Sequence, residues 1–174
     1  MKKLMKITAL AIALLAFNAS TVFAQKYGHL NSGNLIAQLP ETKSADSNLR
    51  AYQEQLIKKG ESMAKTFEAE YTAFAKEYQG GTVTPAVAQA KEKEFRKKQE
   101  EIMQYEQKVI NDVAKKREEL YTPILEKVQN AIDAVGKEGN YAMIFDTSVI
   151  ANNPIVFAAE ADDLMPRVKA KLGM

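Results

Sequence analysis

Cysteine and tryptophan are absent from this chain, histidine occurs once, and only five prolines and eight glycines interrupt its 174 residues. Without cysteine there is no disulfide, no thiolate nucleophile and no thiol to carry a lipid anchor, so stability has to come from packing. The lone His29 stands in the segment Tyr27-Gly28-His29-Leu30-Asn31, which reads as a short strand, and there a hydrogen-bonded core or interface histidine is the expected role. The carboxylates are spread along charged stretches with no second ligand type beside them, and no glycine motif of the phosphate-cradling kind is present. No catalytic residue, metal or cofactor is therefore assigned, and an enzyme is not expected.

Charge of one sign is also in short supply. Residues 1–24 hold three of the 24 Lys and Arg and none of the 22 acids, which leaves residues 25–174 at a net −1. That balance gives no footing for nucleic-acid binding, and any electrostatic role has to rest on local clusters. Basic Met1-Lys2-Lys3-Leu4-Met5-Lys6, the apolar run Ile7 to Phe17 and the small-residue pattern ending at Ala24 read as a signal peptide cleaved after Ala24. The apolar run is too short to cross a bilayer comfortably.

What the chain has in abundance is helical spacing. Leu56, Phe67 and Tyr78 are 11 residues apart, as are Met63 and Phe74; on the return, Ile102, Val113, Ile124 and Val135 repeat the step. An 11-residue repeat winds at about 3.67 residues per turn and gives a nearly straight helix pair. The single strong break is Gly80-Gly81-Thr82-Val83-Thr84-Pro85. There the two glycines supply left-handed conformations, and Thr84 with Pro85 supplies a cap and a first-turn proline. Residues 41–138 are thus predicted to form an antiparallel helical hairpin with its tip near 80–85, and Pro123 is expected to kink the return helix at its root. Residues 25–40 and 139–174 remain for a small β-rich body, with strands at Tyr27–Asn31, Tyr141–Asp146 and Ile155–Ala158 and a last helix capped by Asp162. So small a body is expected to share one core among several copies, with Leu30, Ile144, Phe145, Ile155 and Phe157 in it.

A hairpin of this length cannot enclose a pocket, so function is expected on its surface. Flexible Met and aromatic side chains suit promiscuous contacts; the candidates are Tyr52, Met63, Phe67, Tyr71, Phe74, Tyr78, Phe95, Met103 and Tyr105. Most of them also qualify as the seam between the helices. Tyr52, Phe95 and Met103 fall off the strict 11-residue rows and are expected to look outward. Arg96-Lys97-Lys98 form a candidate basic patch in a stretch, Lys76 to Lys98, that carries six bases against three acids.

The order of strand, helical hairpin, two strands and helix behind a signal peptide resembles the Skp/OmpH family of periplasmic chaperones. The carriers are Tyr27-Gly28-His29-Leu30-Asn31, Leu39-Pro40-Glu41 and Tyr141-Ala142-Met143-Ile144-Phe145-Asp146. The resemblance implies an α+β, predominantly α fold, with tentacle-like arms projecting from a β-body completed by trimerisation. It further implies a periplasmic holdase that works without ATP or any cofactor and keeps unfolded outer-membrane β-barrel proteins in a cavity between the arms. Transient contact with a membrane surface is left open. A coiled-coil adaptor that docks one dedicated partner is the competing expectation.

Overall fold

The structure is a computed structural model that describes residues 25–148 and 155–174. The expected signal peptide lies outside the described residues. Strand β1 (Lys26–Leu30) is followed by α1 (Ser32–Gln38), α2 (Pro40–Gln79), α3 (Pro85–Glu138), β2 (Tyr141–Asp146), a 3₁₀ turn (Glu160–Asp162) and α4 (Met165–Leu172). The fold is α+β and predominantly helical.

α2 and α3 form the hairpin. At about 1.5 Å per residue they run about 60 and 80 Å. α3, with 54 residues against 40, overshoots α2. The overshoot brings Ile124, Val128, Ala131 and Val135 into the body, where they are buried against Leu30, Leu35, Leu39, Leu164 and Val168. Pro123 lies inside α3, just before these turns. At the tip the Thr84 hydroxyl accepts from the Val87 amide at 3.4 Å, as a cap should. The two glycines differ from expectation: Gly80 stays right-handed and only Gly81, at φ 73°, turns left-handed. One reversal suffices because the Thr82 hydroxyl donates to the Glu77 carbonyl at 3.0 Å and satisfies one orphan of the last turn.

β1 and β2 pair in parallel, with Tyr27 opposite Met143, Gly28 opposite Ile144 and His29 opposite Phe145. Parallel strands need a crossover connection, and here the whole hairpin is that connection. Gly28 is required by a close approach: a Cβ there would lie 2.5 Å from Leu164 Cδ1. On its other side β1 receives the Leu164 amide at the His29 carbonyl, 2.8 Å.

Several expectations are corrected. Leu30 is 1% exposed within a single protomer, so it belongs to the protomer's own core, closed by the overshooting α3. β2 is not a buried strand here, since Met143 and Phe145 are exposed. The described part of the third expected strand, residues 155–158, forms no strand, and Phe157 is 85% exposed. Within one protomer β1 is already flanked by β2 and by the Asp163–Leu164 segment, which leaves no edge of β1 for it. Asp162 falls in the 3₁₀ turn and does not cap α4; the residue before Met165 is Leu164, and it is the Asp163 carboxylate that accepts the Met165 amide at 2.8 Å.

The end of β2 is tied to the start of α1 by one carboxylate. Asp146 accepts from the Ser32 amide at 3.0 Å, from the Ser32 hydroxyl, and from the Ser148 amide and hydroxyl, both at 2.9 Å. Burial pushes its pKa up, but the Ser32 and Ser148 hydrogen bonds outweigh burial and hold it below the ordinary aspartate range. A depressed folded pKa means that this contribution is complete above the unfolded value of about 3.9 and is lost as pH falls through the folded pKa. Asp146→Asn is therefore expected to lower the urea midpoint at pH 7, with the gap from wild type closing below about pH 4. A gap that stays constant down to pH 2 would refute the tie.

Candidate functional site

The seam between α2 and α3 is packed with aromatic rings. Phe95 is buried and lies 5.9 Å from Phe67, 5.4 Å from Tyr71 and 5.6 Å from Phe74 between ring centroids, edge-on to the first two. This corrects the outward placement expected for Phe95. It stands seven residues before Ile102, two turns along and within about 20° of that row, so it enters the same seam. Met63, Phe67, Phe74 and Tyr105 are half-buried in the seam. Tyr105 donates its hydroxyl to the Leu56 carbonyl at 3.0 Å. Tyr52 is also half-buried, with the Lys116 ammonium 6.0 Å above its ring, and does not look freely outward. Met103 does, at 57% exposed, and Tyr71 and Tyr78 keep more than half of their surface in solvent.

An exposed apolar row that was not read from the sequence runs beside the seam. On α2, Ile57, Ala64, Tyr71 and Tyr78 follow at seven-residue steps, and on α3 so do Met103 and Ile110; Ile57 and Ile110 are exposed. The Tyr105–Leu56 and Tyr121–Asp46 hydrogen bonds set the antiparallel register. In it Ile57 stands about level with Ile110, and Ala64 about level with Met103. At about 100° per residue all of these fall on one face of the hairpin, the face that the Tyr121–Asp46 bond crosses. The signal for them was present as doublets. In Leu56-Ile57, Ile102-Met103 and Val109-Ile110 the first residue turns into the seam, so the second has to emerge beside it.

The opposite face carries ion pairs. Lys98 bridges to Glu70 across the seam and to Glu94 at 3.0 Å; Lys91 pairs with Glu94, Lys108 with Asp112, Lys116 with Glu119 and Lys127 with Glu41. Hydrogen bonding to Glu70, then to Glu94, raises the Lys98 pKa above the ordinary lysine range. In the candidate basic patch Arg96 is matched by Glu92 at 2.6 Å and Lys97 by Glu101 at 3.6 Å, so all three cations already have carboxylate partners. The patch is thereby close to neutral.

A second apolar surface lies on the body. Tyr27, His29, Phe145, Ile155, Val156 and Phe157 line an open hollow of about 650 Å³. His29 Nε2 lies 3.0 Å from the Ala159 carbonyl oxygen, the hydrogen-bonded role expected of it. Ile144 packs half-buried against the protomer's core, beneath the exposed Phe145.

A long hairpin with a filled seam and an apolar outer face, set on a small parallel-stranded body, is an arm-bearing architecture whose exposed apolar surfaces are extended. The chain belongs to the OmpH-like outer membrane protein family, whose model matches residues 26–172. It is 30% identical over 154 residues to the chaperone protein Skp of Photorhabdus luminescens and to that of Photorhabdus laumondii, a match covering 87% of this chain and 90% of each relative. Its fold is similar to the solved structure of an OmpH-like protein from Caulobacter crescentus CB15, with a TM-score of 0.72, 13% identity, and 86% of this chain and 84% of that one covered.

Proposed function

We propose that this protein is a periplasmic holdase chaperone that keeps unfolded outer-membrane proteins soluble, without ATP, in a cavity bounded by the arms of an oligomer. The observation that carries this reading is the exposed row Ile57, Tyr71, Met103 and Ile110 on an arm whose seam is already filled. Ile57, Met103 and Ile110 stand outside that seam, so folding of the arm does not need them. A face of Ile, Met and Tyr side chains several turns long offers many weak contacts, and release without an energy source requires weak contacts. Membership of the OmpH-like family and the chaperone relatives support the same reading. The exposed hollow around Phe145 and Phe157 supports assembly through the body, and the family resemblance favours three copies. The basic and apolar start of the chain supports export to the periplasm.

Light scattering of residues 25–174, alone and after addition of a urea-diluted outer-membrane β-barrel protein, tests the reading. The expected result is a trimer that holds the client as a soluble complex of defined mass. Replacing Ile57, Met103 and Ile110 together with Ser is expected to leave the mass and helix content unchanged and to reduce client retention severalfold. If the client aggregates as fast with the wild-type protein as without it, the holdase reading is wrong and the dedicated-partner adaptor takes its place.

A further inference from the structure

The apolar face of the arm has an uneven rim. Glu61 lies one turn beyond Ile57, Glu68 one turn beyond Ala64, and Glu106 between Met103 and Ile110. Glu106 stands about level with Glu61 across the hairpin. All three are exposed, and among the described residues none has an ion pair or a side-chain hydrogen bond. Of the other charges on this face, Arg50 pairs with Glu54 and Arg96 with Glu92, and Arg117 lies over the Tyr121 ring at 5.7 Å. Lys59, the cation nearest Glu61 in sequence, lies over the Tyr105 ring at 5.3 Å, and among the described residues neither Lys58 nor Lys65 pairs with any of the three. On the opposite face Lys98, Lys91, Lys108 and Lys116 are engaged by Glu70, Glu94, Asp112 and Glu119. Glu77, Glu100, Glu118 and Glu126 also lack an ion pair among the described residues, but Glu61, Glu68 and Glu106 are the free carboxylates that border the exposed apolar row.

We propose that this face selects, among unfolded chains, segments in which aliphatic or aromatic residues are flanked by lysine or arginine, with Glu61, Glu68 and Glu106 receiving the cations. The inference rests on the holdase reading and specifies the chemistry of the segment held. From Ile57 to Tyr71 the row is about 21 Å long, the span of about six extended residues. One such segment places its apolar side chains on Ile57, Ile110 and Met103 while its flanking ammonium or guanidinium groups reach the rim. A segment of equal hydropathy flanked by acids meets like charge at three points, which raises its dissociation rate and slows its approach. Because the carboxylates are exposed, the preference has to weaken with salt.

Three fluorescent peptides of identical apolar residues, with Lys, Gln or Glu at the flanking positions, titrated into residues 25–174 test this. The Lys peptide is expected to bind about tenfold more tightly than the Glu peptide at low ionic strength, with the ratio falling towards one in 1 M salt. The triple variant Glu61→Gln, Glu68→Gln, Glu106→Gln is expected to abolish the ratio while keeping helix content, mass and binding of the Gln peptide. Equal affinities, a preference for the Glu peptide, or a ratio untouched by the triple variant overturns the proposal. So does a rise of mass on concentration that the triple variant removes while peptide binding stays put, because the rim would then be serving a second copy's lysine face. A wild-type protein that retains unfolded outer-membrane protein yet ignores peptide charge defeats this inference alone. Failure to retain any client defeats the holdase reading beneath it.

Discussion

Leu30→Asp is expected to unfold the body of each protomer, whereas Phe145→Asp is expected to leave the protomer folded and, in the oligomer proposed above, to separate it from its partners. The two residues are near neighbours across the sheet and differ only in which surface covers them. Leu30 is 1% exposed inside one chain, packed among Leu35, Val128 and Leu164, and its carbonyl accepts from the Thr147 amide and hydroxyl at 2.8 and 3.1 Å. An aspartate there loses the transfer free energy of the leucine and strands a carboxylate without partners, a cost of about 3 kcal/mol or more. That is a large part of the stability of a small body. Phe145 is 39% exposed in one chain and lines the open hollow, so a charge there costs a single protomer little. Urea unfolding followed by near-ultraviolet circular dichroism checks the first change and sedimentation mass the second. A Leu30→Asp protein as stable as wild type, or a Phe145→Asp protein of unchanged mass, would overturn the respective assignment.

Phe95→Ala is expected to melt the outer half of the arm and spare the body. Among the described residues, Phe95 is the one buried hydrophobic between Ala45 and Ile124, so the distal hairpin concentrates its packing on one ring. Removing it takes away contacts with Phe67, Tyr71 and Phe74 together, and a Phe-to-Ala change in a packed site costs about 3–5 kcal/mol. Amide hydrogen exchange read by mass spectrometry is expected to rise by orders of magnitude in the peptides around residues 67–78 and 91–102, with β1, α1 and α4 unaffected. A change spread evenly over the chain would mean that arm and body unfold as one unit.

The hairpin was legible because an 11-residue apolar repeat and one Gly-Gly to Thr-Pro break leave no other way to bury the stripe. The exposed row was harder to read. Periodicity assigns Leu56, Ile102 and Val109 to the seam and is silent about the apolar residue that follows each one. Only the cross-seam bonds of Tyr105 and Tyr121, which fix the register, bring Ile57 and Ile110 to one level and one face. Phe95 was misplaced because a strict 11-residue row excludes a residue two turns away that the same seam accepts. The body misled for a different reason. Apolar runs at Tyr141–Asp146 and residues 155–158 look like buried strands, yet in one protomer the core they would cover is already closed by the last turns of α3. A sequence does not say whether an apolar run meets its own chain or a partner's.

The parallel pairing of β1 with β2 joins two segments separated by on the order of a hundred residues, and closing a flexible loop of that length costs about 4 kcal/mol of chain entropy. The hairpin removes most of that cost. Once the helices zip together from the tip, the Glu41–Lys127 pair and the packing of Ala45 near Ile124 hold the two ends of the crossover side by side. The strands then need only the few residues 31–39 and 139–140 to find each other. The arm is thus a clasp for the body as well as a reach beyond it. Residues removed in equal number from both helices leave that clasp shut, and residues removed from one helix alone spring it open.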